Sequence, residues 1–294
     1  MFYRRKVILA LLEQFGGKLE KINLYKLLFI FTKFQQKPEY DFIPYKFGCY
    51  SYSLNADLVT MFKKNQLKDN DIAVEKIGNK NYLNTLSEAD KRLMISVYNQ
   101  FKNFSGDALM YYTYTKYPYT AINSVKAKSL LSTGEFEKVL AQKPDSTKSI
   151  LYTIGYEGIS LEEYLNRLIK HDVRVLVDVR NNALSQKYGF SKSLLQKFCL
   201  NLNIQYFHFP DVGIQAKFRH KLNVQDDYDT LFKYYKLETI PETLSTQERI
   251  VDLLINNKRV ALTCFEANIC QCHRKHLAEA ITTLPRWKFE LKHI

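Results

Sequence analysis

The chain has no stretch approaching the roughly 18 uninterrupted apolar residues that a membrane-spanning helix needs, so a helical membrane protein is excluded for its 294 residues. Its opening residues, MFYRRKVILALLEQF, show no secretory cleavage pattern and carry a charge at Glu13, which predicts a cytoplasmic protein with no membrane partner. Cysteine is scarce and odd in number: five in all, with Cys264, Cys270 and Cys272 crowded together. That distribution does not make a disulfide framework, and it favours free thiols, thiol chemistry or metal binding. Internal repeats and low-complexity tracts are missing as well. Acidic residues are in short supply, with 30 Asp+Glu against 43 Lys+Arg and a net charge of +13. Residues 1–148 carry 23 basic and 14 acidic side chains (+9), and residues 149–294 carry 20 and 16 (+4). Such an excess attracts a polyanion, so nucleic acid, DNA foremost, is the expected partner, met through the first half. A lysine-rich solvated surface is the competing reading.

What is present divides in two near KPDSTKS, residues 143–149, which predicts domains at 1–146 and 147–294. In the first half, RKVILALLEQF and INLYKLLFIFTKF show helical apolar spacing, with Gly16 and Gly17 stopping the first helix. SLNADLVTMFKKNQL reads as a third helix, with Ser53 or Asn55 as N-cap. IAVEKIGNKNYLNTL reads as two short strands joined at Gly78-Asn79. A further helix opens at Ser87 and Asp90. Three helices and a hairpin predict a mainly α, winged-helix-like domain. Lys76 and Lys80 then sit on the wing, and Lys63, Lys64 and Lys68 at the end of the third helix, as the nucleic-acid contacts. This half resembles the winged-helix units of bacterial regulators and of toxin–antitoxin or defence proteins; such units also serve as protein-docking modules.

The second half alternates apolar strands (SILYTIGY, VRVLVDVR, IQYFHFP, VALTCFE) with amphipathic helices, and WKFELKHI makes a last edge strand. Ser160 and Glu163 form a capping box on the first of these helices. The pattern predicts an α/β Rossmann-like domain with a mostly parallel sheet covered on both faces. Ligands in such sheets lie beyond the carboxyl ends of the strands. That edge should gather the Gly155–Gly158 turn, Asp178 and Arg180, then His208, Asp211 and Gly213, and finally Cys264, Glu266, Cys272, His273 and Arg274. Lys217 and Arg219 of QAKFR fall near the same edge.

TIGYEG, VDVRNNALSQKYGF, IQYFHFPDVG and ALTCFEANICQCHR, in this order, resemble the domain-of-unknown-function 488 family (DUF 488) over residues 149–285. The resemblance implies roles for Gly155, Asp178, Arg180, Ser185, Phe190, Tyr206, Gly213, Cys264, Glu266, Cys272, His273 and Arg274. Tyr156-Glu157 stands where that family commonly has His-Ser.

Zinc is disfavoured by spacing, because Cys264, Cys270, Cys272 and His273 form one cluster with adjacent ligands rather than two separated pairs. No metal and no cofactor are therefore expected, although a divalent ion beside the acidic residues is left open. An anion pocket fits better. With a helix starting near Gln271, Cys272, His273 and Arg274 occupy its first turn, and Arg180 adds a forked donor. Asp178 and Glu266 then either orient the arginines or act as a general base. Cys272 beside His273 should have a lowered thiol pKa, and the DVR strand with Cys264 also resembles rhodanese-type sulfur transfer. Tyr206 and Phe190 are candidates to stack on a base, against core packing in a chain that is 14% aromatic.

The leading expectation is a hydrolase acting on a phosphodiester or N-glycosidic bond of nucleic acid or nucleotides, recruited to DNA by the first domain, in bacterial defence or repair. In that reading Asp178, Glu266, Cys272 and His273 are catalytic, while Arg180, Arg274, Tyr206, Ser185, Phe190, Gly155 and Cys264 bind substrate. The alternatives are a non-enzymatic DNA-binding sensor of a nucleotide-like or modified-base ligand, and thiol-based sulfur transfer. A homodimer is left open.

Overall fold

A computed structural model of the chain describes residues 1–144, 146–215, 218 and 225–294. The chain forms two compact units, Met1–Lys143 and Pro144–Ile294. Lys217 and Arg219 lie outside the described residues.

Unit 1 begins with helix α1 (Tyr3–Gln14), strand β1 (Lys18–Glu20) and helix α2 (Lys21–Phe34). Gly16 and Gly17 both adopt positive φ, +83° and +85°, where a side chain is strained, and so end α1. A ribbon of β2 (Ile43–Tyr45) and β3 (Gly48–Tyr50) leads to α3 (Tyr52–Lys63), then β4 (Leu67–Asn70) and β5 (Ala73–Lys76). Helices α4 (Glu88–Phe101), α5 (Gly106–Lys116), α6 (Ala127–Leu130) and α7 (Thr133–Leu140) complete the unit. The sheet order is β1-β5-β4, antiparallel throughout. Buried residues of α1, α2, α3 and α4, among them Leu11, Phe31, Met61 and Met94, form the core.

Two local expectations are corrected. The N-cap of α3 is Ser51, whose hydroxyl accepts from Leu54 N at 3.2 Å, not Ser53 or Asn55. The hairpin lies earlier than Gly78-Asn79. Leu67–Asn70 pairs with Ala73–Lys76 around Asp71, which takes the left-handed conformation at φ 57°, and Asn70 and Asp71 are residue types that tolerate such a turn. Lys68 therefore lies on β4. Lys76 ends β5 and donates to Gly78 O at 2.8 Å, while Lys80 follows it beside the Tyr82 ring. Neither lysine is at the hairpin tip.

Unit 2 runs β6 (Ile150–Gly155), α8 (Leu161–Lys170), β7 (Val175–Asp178), α9 (Lys192–Asn201) and β8 (Gln205–His208). After α10 (Gln225–Tyr234), a π-turn and the single turn α11 (Ile240–Glu242) come α12 (Leu244–Asn257), β9 (Arg259–Cys264), α13 (His273–Thr282) and β10 (Glu290–His293). Among the described residues the strands form one five-stranded sheet, order β10-β6-β9-β7-β8, every pair parallel. The central strands are wholly buried, as a sheet covered on both faces requires.

Strand alternation separates the two faces. Val175, Val177, Val260, Leu262 and Cys264 join the core beneath α12 and α13, with Ile250, Leu254 and Leu277. Thr263 and its register partner Asp178 point the other way, where the α8 residue Tyr164 donates to Thr263 Oγ1 at 2.8 Å.

At the start of α8, Ser160 Oγ accepts from Glu163 N at 3.0 Å, but the Glu163 carboxylate pairs with Arg167 at 2.6 Å. The capping box is thus half made. Ser160→Ala should lower the urea midpoint by an amount equal to about 1 kcal/mol with the m-value unchanged. A loss below about 0.3 kcal/mol would mean that the cap adds nothing.

Candidate functional site

The carboxyl edge of β6, β7 and β9 does gather the expected side chains, but the sheet divides them into two sets. On the α8 side, Asp178 is fully buried and takes a bidentate pair from Arg180, with Nε at 2.8 Å and Nη2 at 2.5 Å. The backbone N–H of Arg180 and the Tyr206 hydroxyl also donate to this carboxylate, at 3.1 and 2.6 Å. Arg180 Nη1 donates to the Tyr156 hydroxyl at 2.6 Å. Burial disfavours the charge on Arg180, but the Asp178 hydrogen bonds outweigh it and stabilise the cation. Burial and Asp178 together push the Tyr206 phenol far above its ordinary pKa. This is a saturated ion pair, so Asp178 positions Arg180 and is not placed as a general base.

On the α13 side, Cys264 ends β9, and the next turn (Ile269–Gln271) leads into α13. The helix begins at His273 rather than Gln271. Cys272 is its N-cap with extended backbone, φ −131° and ψ 131°. The thiols of Cys264 and Cys272 each donate to Glu266 Oε2 at 3.1 Å. His273 Nδ1 lies 3.7 Å from Cys264 Sγ, while its Nε2 lies 3.0 Å from Val179 O. Since a carbonyl only accepts, Nε2 carries a proton. Arg274 turns its guanidinium to backbone, with Nη1 2.5 Å from Glu266 O and Nη2 3.3 Å from Ala267 O.

The expected low-pKa thiol is the wrong one of the two. Burial raises the Cys264 thiol, but the hydrogen bond from Cys272 and the adjacent His273 charge carry it well below its ordinary value. Cys272 is held well above by burial, then by the Cys264 and Glu266 charges. Burial lowers His273, yet Cys264 raises it overall, and burial followed by the Cys264 charge raises Glu266. The imidazole faces Cys264, and sequence adjacency to Cys272 did not decide which thiol it touches.

Arg180 and Cys264 meet at a pocket of about 320 Å³ that also takes in Tyr156, Asn181, Asn182, Ser185 and Phe265. Two glycines shape this edge. A Cβ on Gly155 would overlap the Glu266 carbonyl, and one on Gly213 would overlap the backbone N of Asn181. Phe190 is fully buried and stacked on Tyr156 at 4.1 Å, so its place is the core and not against a base. Tyr206 is likewise committed to Asp178. Tyr156, Asn181 and Asn182 line the pocket and were missed from sequence. The Asn pair directly after the strand-end arginine was the available signal.

Residues 160–281 match a family model described as "Domain of unknown function DUF488". The match takes in the strand-end residues from Asp178 to Arg274 but not the first strand with Gly155. No curated protein matches the chain, and no solved structure does. Among the described residues, no helix is long and apolar enough to cross a membrane.

Proposed function

We propose that the protein is a hydrolytic enzyme of nucleic acid or nucleotides, cleaving a phosphodiester or N-glycosidic bond in the pocket at the carboxyl edge of the parallel sheet. The observation that carries this reading is the pocket itself, where a clamped arginine, two asparagines, a serine and aromatic walls stand over Cys264. Its volume falls at the lower end of small-molecule sites. Arg180 spends Nε, Nη2 and Nη1 donors on Asp178 and Tyr156 and keeps further N–H groups for an anion. Asp178 is committed to Arg180 and Tyr206, so Glu266, which accepts from the Cys264 and Cys272 thiols, is the carboxylate assigned as base.

The order α1–β1–α2–α3–β4–β5 with sheet order β1-β5-β4 supports reading unit 1 as a winged helix interrupted by the β2–β3 ribbon. Lys63, Lys64 and Lys68 are exposed at the end of α3 and on β4, suited to phosphate contacts. The hairpin tip carries Asp71 and Ile72, so the helix end rather than the wing supplies the charge.

Two measurements test the reading. For labelled duplex, log K should fall steeply with log salt, and Lys63→Ala with Lys64→Ala should make that slope shallower by about two. A flat salt response would remove the DNA claim. With duplex, single-stranded and mononucleotide substrates, the wild type should form product, and Glu266→Gln should slow it about 100-fold or more. Retained turnover in that variant refutes the assigned base. Ligand binding without turnover on any substrate replaces the hydrolase with a sensor, and turnover lost on thiol alkylation alone points to sulfur transfer.

A further inference from the structure

The proposed hydrolysis draws only Glu266 from the α13-side cluster as a base, and the convergence of the other donors there is more than that role requires. Cys264 Sγ, Cys272 Sγ and His273 Nδ1 all lie within 4.8 Å of one another, and all three residues are buried. Glu266 Oε2 stands 3.1 Å from each sulfur, closing a fourth corner. With zinc–sulfur bonds of about 2.3 Å and zinc–nitrogen bonds of about 2.0 Å, donors around a tetrahedral ion are about 3.3–3.8 Å apart. The 3.7 Å between Cys264 Sγ and His273 Nδ1 falls in that span, and the two 3.1 Å distances fall just short of it.

The outer contacts suit a metal as well. The Val179 carbonyl takes the Nε2 proton of His273, which orients the ring and aims Nδ1 at the cluster, the usual support of a metal-bound histidine. Arg274 pins the Glu266 and Ala267 carbonyls. Gly155 leaves room for the Glu266 carbonyl to pass. Adjacent ligands at 272 and 273, which argued against zinc on spacing, reach one point because the backbone is extended at Cys272 and helical from His273.

We propose that unit 2 binds one zinc-class divalent ion through Cys264, Cys272 and His273, with the Glu266 carboxylate at the fourth position. Two thiolates, one imidazole and one carboxylate select zinc or a similar borderline-soft ion over magnesium or calcium, which want oxygen ligands. Cys270, exposed and 4.0 Å from Lys275 Nζ, is outside the set and serves as the control.

The test is metal content of the full chain, loaded with zinc and then dialysed, together with the absorption spectrum after cobalt(II) substitution. One ion per chain and a thiolate-to-cobalt charge-transfer band in the near ultraviolet are expected. Cys264→Ser and Cys272→Ser should each bring the stoichiometry close to zero, and Cys270→Ser should leave it at one. His273→Gln should reduce retention and alter the cobalt spectrum, which keeps the test open if a serine variant fails to fold. Wild-type protein that retains no zinc, a cobalt form with no charge-transfer band, equal loss in Cys270→Ser, or a Cys264–Cys272 disulfide in the intact mass would each overturn the site. Metal content is read without substrate, so failure here leaves the hydrolase reading standing with Glu266 as its base, and absence of turnover leaves this one standing. A loaded ion takes Glu266 as ligand and removes it from the role of base.

Discussion

Asp178→Asn is expected to lower the unfolding free energy by about 3–5 kcal/mol. The carboxylate has no solvent exposure and receives four donors, three of them from Arg180 and one from Tyr206. An asparagine offers one acceptor oxygen and turns an NH₂ group towards donors, so a buried guanidinium is left without its counter-charge. Arg180 is itself only 4% exposed. Urea denaturation should show the midpoint falling with the m-value held. A loss under about 1 kcal/mol would place the pair in the class of exposed ion pairs and refute its description as a buried clamp. Combining Asp178→Asn with Arg180→Met should cost less than Asp178→Asn alone, because removing both charges also removes the unpaired one.

That clamp shows why the sequence disclosed the rim but not the roles. Short, mostly apolar runs such as VLVD and VALTC, alternating with amphipathic helices, read as strands buried on both faces, and the rule that ligands collect past the carboxyl ends then puts Asp178, Arg180, Cys264 and Glu266 on one edge. Period-two alternation, however, sends Asp178 and Cys264 to opposite faces, and this depends on the register Asp178↔Thr263 and Gly155↔Cys264, which is set by tertiary packing. The single cationic hollow that strand ends suggested is therefore two clusters joined through Arg180 and Cys264. The imidazole's choice of thiol likewise turns on where α13 begins, and a shift of helix start from Gln271 to His273 reverses it. In unit 1 the Gly-Asn dipeptide at 78–79 was the stronger local turn signal, yet the hairpin closes at Asp71 because β1 takes the other edge of β5 and fixes its register, a long-range pairing no local signal carries. Helix α10 carries Tyr228, Leu231 and Phe232 at helical spacing with Tyr235 just beyond it, and packs through Leu231 and Phe232, which join Ile214 and Tyr235.

Gly155→Ala is the second change with a large expected effect, and it tests whether the Cys264–Ala267 turn sits where described. Gly155 ends β6 in register with Cys264, so the turn after β9 passes directly over it. An added Cβ would overlap the Glu266 carbonyl oxygen and lie 2.8 Å from its carbon and 3.1 Å from Arg274 Nη2. The turn has no easy retreat. Phe265 O accepts from Tyr156 N at 3.0 Å and Glu157 N at 2.9 Å, and Ala267 N donates to the Glu157 carboxylate at 2.9 Å. Relief must break part of that ring and lift Glu266 away from both thiols, so a cost of about 3 kcal/mol is expected, at the upper end for overpacking. A second readout separates displacement from plain destabilisation. Cys264 and Cys272 are 0% and 1% exposed, so under native conditions a thiol reagent should modify them slowly in the wild type and at least about tenfold faster in the variant, well below its unfolding midpoint. Gly158→Ala is the matched control: its φ of +76° strains any side chain, but its Cβ meets nothing within 4 Å. It should cost about 1 kcal/mol and leave both thiols protected. If Gly155→Ala is as stable as the wild type and its thiols stay unreactive, the turn does not cross that strand end, and the placement of Glu266 between the two cysteines fails with it.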